Sequence, residues 1–371
     1  MDTRDAPRTV PVPWLVDAVT TVFRALGFSG PAAGLVAETL VAADMRGIGS
    51  HGVMLVPMYV ERIQAGSVSR REAAESVSDL GAVAVLDGGH ALGQLTGDQA
   101  MRLAVAKAHR FGVGAVTVRN AFHFGGAFRY VQLAAADGCI GIAAANTRPL
   151  MPAPGGAAAV VGNNPVAVGV PRPDGAPVVL DIALSEAALG KVRLAASGGR
   201  TIPASWATDR QGRPTTDPGA ALDGLLLPTG GHKGYGLAFM VDVLAGVLSG
   251  GGYGRHVRGL YADTSVPNDC AHFFLALDVA AFGDPAEFGK RLADLADQVL
   301  TADLAPDVDR VYLPGDIEAT RYARALRAGV SVEPAVLTRL RDTAASLGVP
   351  VGEPDPPADQ PVADQPEKGW R

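Results

Sequence analysis

Apolar positions near the amino terminus recur with the period of an amphipathic helix. Residues 13–28 and 31–46 both have this pattern, and each segment has a proline near its start, where proline fits a helix. A third helix is predicted over about 52–65, and two more near 317–328 and 333–347. Both ends of the chain are therefore expected to be helical.

The middle of the chain has a different pattern, made of short β-like runs bounded by Gly, Pro and Asn. The runs are VAVLDGG, GVGAVTVRNA, CIGIAAANT, AVVGNNPVAVGVP, APVVLDIA and HFFLALDV. Helical patterns interrupt them at about 95–111, 126–137 and 233–249. Together the two kinds of segment predict a mixed α/β protein.

The pattern also predicts how the chain is divided into domains. Residues 1–75 and 317–350 are expected to form one discontinuous helical domain around a sheet-rich domain, 76–316. The remainder, 351–371, repeats an ADQP unit and has almost no aliphatic side chains. Such a segment buries too little apolar surface to offset the entropy of folding, so a disordered tail is predicted.

Composition narrows the class of protein. The 371 residues are 48% hydrophobic and 19% charged, which is enough for a large core and roughly two domains. The net charge is −6, and Lys and Arg are scattered, so no nucleic-acid partner is expected. The longest apolar stretch, GLAFMVDVLAGVLSG, contains Asp242 and is too short to span a membrane.

The amino terminus and the cysteines indicate a cytoplasmic protein. MDTRDAPRTVPVPW lacks the apolar centre of a signal peptide. Cys139 and Cys270 have neither a metal-binding spacing nor a disulfide framework. Both are expected to pack as small apolar side chains, and no metal is predicted.

Two motifs offer possible binding chemistry. No G-x-G-x-x-G follows a strand, so a standard Rossmann site is not supported. GGHKGYG at 230–236 leads into an apolar helix, where backbone N–H groups and the Lys233 ammonium suit an anion such as a pyrophosphate; a plain Gly-rich loop is the alternative. His123 in NAFHFG lies between a strand and a helix, where a structural role is favoured from position alone.

The pair Ser50-His51 precedes a predicted helix. If the helix includes His51, the face beside it carries Met54, Leu55, Met58 and Tyr59. Ser50 would then be the N-cap or lie next to it. From spacing alone, the favoured interpretation is that His51 is a structural residue at the amino-terminal end of an apolar helix face that packs in the core.

Taken together, the motifs resemble the type-2 malate/L-lactate dehydrogenases. That family also includes ureidoglycolate dehydrogenase, sulfolactate and diketogulonate reductases, and piperideine-2-carboxylate reductase. The resemblance covers about residues 13–330. The matching stretches are RGIGSHG, YVERIQAG, NAFHFGG, GNNPVAVGVP, VVLDIA, GKV, IPASWATDRQGRPTTDP, LLPTGGHKGYGLAFMVDVLAGVLSG and HFFLALDVAAF.

The resemblance implies a fold, a cofactor and site residues. It implies a non-Rossmann NAD(P)-binding domain that is rich in sheet, a helical domain from both chain ends, and a homodimer whose active site involves both subunits. His51 resembles the family's proton donor, with Ser50 beside it, and His123 the histidine described as catalytic or cofactor-contacting. The implied cofactor positions are Thr147, Asp181, Ile182, Ala183, Lys233, Gly234, Pro314, Gly315 and Asp316.

One position departs from the family pattern SHGxxRxxxY. Leu55 stands where the family has an Arg suited to a substrate carboxylate, and Met58 replaces a second basic residue. A 2-keto or 2-hydroxy acid should therefore bind poorly unless Arg129 or Arg148 replaces the missing cation. We hypothesise that Met54, Leu55, Met58 and Tyr59 line an apolar pocket for a ketone or imine.

Two other functions stay open, as does the choice of nucleotide. The chain could be a 2-hydroxyacid dehydrogenase that uses Arg129 or Arg148, or a nucleotide-binding protein without turnover. Glu186 would repel a 2′-phosphate near the ribose and Arg148 would attract one, so NAD and NADP are not distinguished.

Overall fold

The computed structural model describes residues 7–173 and 175–354. Contacts within the chain divide it into two compact units, Met1–Pro57 with Glu318–Arg371, and Met58–Ile317. The domain limits predicted after residues 75 and 316 remain a prediction, because compactness alone does not establish a unit that folds or functions by itself.

The described residues contain both helices and strands. The helices are α1 (Val12–Ala25), α2 (Gly30–Met45), α3 (Val56–Gln64), α4 (Gly93–Phe111), α5 (Phe128–Ala136), α6 (Leu189–Ser197), α7 (Pro218–Leu222), α8 (His232–Asp242), α9 (Val279–Phe282), α10 (Pro285–Leu300), α11 (Asp316–Ala328) and α12 (Pro334–Ser346). The strands are β1 (Arg8–Val10), β2 (Glu75–Leu80), β3 (Val83–Asp87), β4 (Val113–Ala121), β5 (Cys139–Ala145), β6 (Val166–Val170), β7 (Val178–Ile182), β8 (Cys270–Asp278) and β9 (Val330–Val332).

The first unit is built from helices of both chain ends. Proline lies in the first turn of α1, α2 and α12, and the Ser29 side chain accepts a hydrogen bond from Ala32 N at the start of α2. α12 packs on α1 and on the residues just before α3. β1 and β9 pair as a two-stranded antiparallel sheet. The helical pattern predicted at both ends is confirmed.

The second unit contains a seven-stranded sheet of order β2-β3-β4-β8-β5-β6-β7. Among the strand pairs of this sheet in the described residues, β3 and β4 run parallel and the other pairs are antiparallel. α4 and α5 pack on the strands, and α8 continues as a π-helical turn, Val243–Val247, against β4 and β8. The six strands predicted from the sequence are present, and the mixed α/β class is confirmed.

The segment around His51 differs from the prediction. A continuous helix from about residue 52 was expected, but α3 begins at Val56, and two 3₁₀ turns precede it, Gly49–His51 and Val53–Leu55. Gly52 between them is extended, with φ −94° and ψ −156°. Ser50 is therefore not a helix N-cap, and Leu55 does not lie one α-helical turn beyond His51.

The carboxyl terminus is described only in part. Val351–Pro354 has no helix or strand. The predicted disordered tail, 351–371, otherwise lies outside the described residues.

Candidate active site

Ser50 and His51 share a tight turn in the first unit. Ser50 Oγ lies 2.9 Å from His51 Nδ1, and the His51 backbone N–H donates to Ile48 O at 2.9 Å. Burial lowers the pKa of His51 below its usual value. The imidazole is therefore neutral at pH 7, which suits it to accept a proton in one direction of a reaction and to return it in the other.

A carboxylate holds this turn from within. Asp44 Oδ2 accepts a hydrogen bond from Val53 N at 2.8 Å. A Cβ on Gly52 would lie 2.0 Å from Asp44 Oδ1, so only glycine fits there without displacing the carboxylate. Burial raises the pKa of Asp44 to about 7, against the smaller opposite effect of the Val53 hydrogen bond. The sequence RGIGSHG thus folds around the Asp44 side chain.

The apolar residues after His51 are mostly core residues. Leu55 is 3% exposed and Met58 is 6% exposed, whereas Met54 keeps partial exposure. The role of Leu55 and Met58 in a substrate pocket therefore remains a prediction, and Met54 has the more accessible side chain.

His123 in the second unit has a deeply buried partner. Its Nδ1 lies 2.6 Å from the Tyr59 hydroxyl, and Gln94 Nε2 donates to the same hydroxyl at 2.9 Å. Burial raises the pKa of Tyr59 far above its ordinary value, so the phenol keeps its proton. If Tyr59 donates to Nδ1 while its oxygen accepts from Gln94, the ring proton of His123 lies on Nε2.

Close backbone packing brings Gln94 and His123 to the Tyr59 hydroxyl. A Cβ on Gly93, at the start of α4, would lie 2.1 Å from Phe122 O. Glycine therefore lets the start of α4 lie directly on the segment that carries His123. Gln94 follows at once, which explains how it reaches Tyr59.

Several predicted cofactor residues converge near the end of β7. Asp181 Oδ2 accepts from Phe128 N, five residues after His123, at 2.8 Å. Val179 N donates to Pro314 O at 3.0 Å, which places the Pro314-Gly315-Asp316 loop beside β7. Ile182 and Ala183, which follow Asp181, are exposed and available to a ligand.

The remaining cofactor candidates are attached to the same strand end. Leu184 N donates to Asn163 O at 2.7 Å, and Thr229 N donates to Leu184 O at 3.0 Å. Thr147 Oγ1 donates to Asn163 Oδ1 at 3.0 Å. The structure therefore brings Thr147 and the loop before α8 to Ala183.

The start of α8 fits an anion. Gly230 and Gly231 have φ of +57° and +65°, and a Cβ on either would meet no atom within 4 Å, so the loop leaves open space. Lys233 is exposed in the first helical turn, where backbone N–H groups lack helical acceptors. Gly234 is needed for packing, because a Cβ there would lie 2.1 Å from Thr229 O.

Sequence reasoning missed several polar residues that hold these loops. Asn164 is fully buried; it accepts from Thr147 N and donates to Ala238 O. Asn146 donates to Asp242 at 2.9 Å, and burial raises the pKa of Asp242. A single acidic residue within an apolar helix, such as Asp242 or Asp44, was the sequence signal that could have indicated a buried polar contact.

The two candidate replacement arginines have different surroundings. Arg129 is paired with Asp98 at 3.2 Å. Arg148 is exposed and has no carboxylate partner among the described residues. Its pKa is lowered, first by desolvation and then by the charge of Arg193. Arg148 is therefore the better placed of the two to recruit an anion.

The chain is similar to known proteins over most of its length. The family model for malate/L-lactate dehydrogenase matches residues 10–341. The chain belongs to the malate/L-lactate dehydrogenase family.

Relatives of this family extend over nearly the whole chain. A malate dehydrogenase from Pyrococcus abyssi is 36% identical over 92% of this chain and 95% of its own length. A Δ¹-pyrroline-2-carboxylate/Δ¹-piperideine-2-carboxylate reductase from Pseudomonas syringae is 32% identical over 91% and 96%. The crystal structure of malate dehydrogenase from Entamoeba histolytica superposes with a TM-score of 0.87, at 30% identity, over 93% and 99%.

These likenesses establish a class of reaction. As a member of this family the chain is an oxidoreductase, and a nicotinamide cofactor belongs to that class. Within the described residues, no helix combines the length and apolar composition needed to cross a bilayer.

Proposed function

We propose that this protein uses NAD(P)H to reduce a C=O or C=N bond of a small, largely apolar substrate, with His51 as proton donor. Family membership supports hydride chemistry, since the relatives include a malate dehydrogenase and a cyclic-imine reductase. Ser50, hydrogen-bonded to His51, is proposed to polarise the acceptor.

The cofactor is assigned to the second unit. We propose that Thr147, Asp181, Ile182, Ala183, Lys233, Gly234 and the 314–316 loop contact it, with His123 beside them. The exposed start of α8 supports a phosphate position and the exposed end of β7 offers backbone groups. When bound, a nicotinamide supplies the hydride; the protein orients it and excludes water.

His123 is proposed to act as a hydrogen-bond donor. Because Tyr59 occupies Nδ1, the Nε2–H is the group that this histidine offers to a cofactor or substrate. The fixed tautomer favours orientation over proton exchange. His51 is the group that changes protonation in the proposed reaction.

The preference for an apolar substrate rests on one observation: the family's carboxylate-binding position is Leu55, and Arg129 is engaged by Asp98. A charge-assisted contact to a carboxylate is worth about 1.5–3 kcal/mol. Without it, a small keto acid loses its main anchor. The apolar side chain of Met54 supports an uncharged substrate.

A second candidate is a 2-hydroxyacid dehydrogenase in which Arg148 supplies the missing cation. The neighbouring charge of Arg193 supports it, because two nearby cations favour an anion between them. The same pair would also suit the 2′-phosphate of NADPH. A third candidate, a nucleotide-binding protein without turnover, would show binding of NADPH and no reaction.

One kinetic panel separates these functions. We would compare pyruvate and oxaloacetate with uncharged ketones and cyclic imines, using NADH and NADPH, on wild type, Arg148→Ala and Arg129→Ala. We expect the uncharged substrates to have the higher kcat/KM. If the wild type turns over keto acids faster than uncharged substrates, and Arg148→Ala selectively loses that activity, the hydroxyacid function would replace the proposal. If Arg148→Ala instead loses activity with NADPH but not with NADH, Arg148 would be assigned to cofactor binding.

We also propose that the protein is a homodimer, as expected from its family. α8 and the following turn expose a stripe of apolar side chains, Leu237, Met240, Leu244, Val247 and Leu248, between 38% and 59% exposed. Contiguous apolar surface of this kind typically marks an interface. Light scattering on wild type and Met240→Glu tests it, and a monomeric wild type would contradict it.

A further inference from the structure

Three side chains with metal-binding atoms meet where α4, β5 and β8 approach one another. His109 in the last turn of α4, Cys139 at the start of β5 and Asp278 at the end of β8 place their ligand atoms within 4.8 Å of one another. Cys139 pairs with Asp278 across the two strands. Because the residues are far apart in the sequence, only the fold assembles this cluster.

The geometry within the cluster suits a tetrahedral ion. His109 Nδ1 lies 3.3 Å from Asp278 Oδ2, and two ligands at about 2.0–2.1 Å from Zn²⁺ are roughly 3.3 Å apart at a tetrahedral angle. Asp278 Oδ1 already accepts from Ala280 N at 3.0 Å, at the start of α9. That bond restrains the carboxylate while Oδ2 faces His109.

The identities of the ligands select the type of ion. Thiolate and imidazole together favour Zn²⁺ over Mg²⁺ or Ca²⁺, which prefer oxygen ligands. Cys139 is fully buried, whereas the His109 side chain is 48% exposed, so one of the three ligands faces solvent.

The surroundings of the cluster are electrostatically suited to a cation. α4 ends at Phe111 with Gly112 in the left-handed conformation, so the negative end of the helix dipole lies near His109. The negative charges of Asp278 and Asp137 act on Cys139. The neighbouring carboxylates oppose further negative charge, and a bound dication would neutralise it.

We propose that His109, Cys139 and Asp278 form a Zn²⁺ site with three protein ligands and a fourth position open to water. The site ties the end of α4 to β5 and β8. Binding there stabilises the folded state, because the three ligands come together only when the sheet is formed.

The second cysteine provides a matched control. Cys270 Sγ lies 3.6 Å from His272 Nε2, and both residues are buried. Among the described residues no carboxylate joins them in a ligand group. Both the Cys139 cluster and the Cys270 pair therefore have a cysteine next to a histidine. Only the Cys139 cluster, among these two, also has a carboxylate and an exposed ligand.

The test uses the full-length protein after removal of metals with a chelator. Zn²⁺ affinity is measured by competition with a chromophoric chelator, and Co²⁺ is added to look for the ultraviolet thiolate-to-cobalt charge-transfer band. We expect a single ion per chain, a thiolate band, and a melting temperature that rises with Zn²⁺ concentration. Cys270→Ser should retain all three properties.

Substitutions of the proposed ligands show whether these residues bind the ion. Cys139→Ser should lose the thiolate band, and the exposed His109→Gln should weaken Zn²⁺ binding by more than about tenfold without affecting folding. A wild type without the thiolate band, a band that survives in Cys139→Ser, or a band lost in Cys270→Ser would overturn the proposal. None of these measurements depends on turnover, so the proposed catalytic function stands or falls separately.

Discussion

The two candidate histidines, one in each compact unit, have similar partners in different settings. In each, Nδ1 lies next to a hydroxyl, of Ser50 for His51 and of Tyr59 for His123. The Ser50 hydroxyl is on an exposed residue, whereas Tyr59 is fully buried and held by Gln94. A hydroxyl that is free to reorient allows an imidazole to gain and lose a proton, and a fixed one locks its tautomer.

The comparison separates proton transfer from orientation. His51 stands on a turn that is held by its own backbone hydrogen bonds and by the Asp44 carboxylate, which accepts from Val53 N. His123 stands on a segment packed against the start of α4 through Gly93. We therefore expect changes at His51 to affect chemistry and its pH dependence, and changes around His123 to affect positioning.

The largest effect is expected from His51→Gln. Removing a general acid–base group typically costs about 10²–10⁴ in rate, so kcat should fall in that range while NADPH binding, followed by fluorescence, is unchanged. Because burial lowers the pKa of His51, wild-type kcat/KM for reduction should fall as pH rises through a value below 6.5. A variant within tenfold of wild type would remove His51 from the chemistry.

Asp44→Asn tests the support of the same turn. Asp44 ionises at 3.8 when unfolded and at about 7 when folded. As pH rises from the unfolded-state pKa to the folded-state pKa of Asp44, the free energy of unfolding of the wild type should therefore fall. The cost of ionising the buried carboxyl is fully present above pH 7. The Asn side chain keeps an acceptor for Val53 without this cost. Unfolding in urea should show Asp44→Asn more stable by on the order of 2–4 kcal/mol at pH 8, with the difference vanishing near pH 4.

The control for that experiment is Asp44→Ala, which also removes the acceptor. It should lose about 1–3 kcal/mol relative to Asp44→Asn, because Val53 N–H is left unpaired. Equal stability of the two variants at every pH would mean that the hydrogen bond to Val53 does not hold the turn.

Tyr59→Phe sharpens the other half of the comparison. Without the hydroxyl, Nδ1 of His123 loses its donor and Gln94 its acceptor. We expect kcat/KM to fall about tenfold to a hundredfold, as when groups that orient a histidine are removed, with the pH dependence from His51 unchanged. Tyr253→Phe, at a residue 49% exposed, is the matched control. A shifted pH profile in Tyr59→Phe would contradict a purely orienting role.

The smallest effect is expected from Gly52→Ala. The added Cβ would lie 2.0 Å from Asp44 Oδ1, so the carboxylate must move and its bond to Val53 weakens. We expect a loss of about 1–2 kcal/mol in unfolding free energy and a lower kcat. In Gly34→Ala, where a Cβ meets nothing within 4 Å, the same change inside α2 should stabilise by about 0.5–1 kcal/mol. Equal effects at both positions would mean that the turn tolerates a side chain.

Much of the fold was predictable because it is local. Periodicity located α1, α2, α4 and α12 to within a few residues, and alternation bounded by Gly and Pro located β3 to β8. α10 was missed, although Asp284 and Pro285 mark its start. β1 and β9 are only three residues long, too short for a periodic signal.

The sequence by itself determined the class of chemistry. RGIGSHG, NAFHFGG and GGHKGYG each carry a group that we propose to be reactive or binding, together with the glycines of its turn. This information is contained within a few residues. The replacement of Arg by Leu55 was visible in the same way. These features depend on side-chain identity at fixed spacing.

The tertiary structure decided which polar groups act together. Gln94 donates to Tyr59, which in turn contacts His123. Arg129 is paired with Asp98, and Asp44 fills the turn that holds His51. His109, Cys139 and Asp278 meet only where α4, β5 and β8 converge. Hydrogen bonds and coordination depend on distances of about 2–3 Å, and spacing along the chain does not set such distances between separate elements.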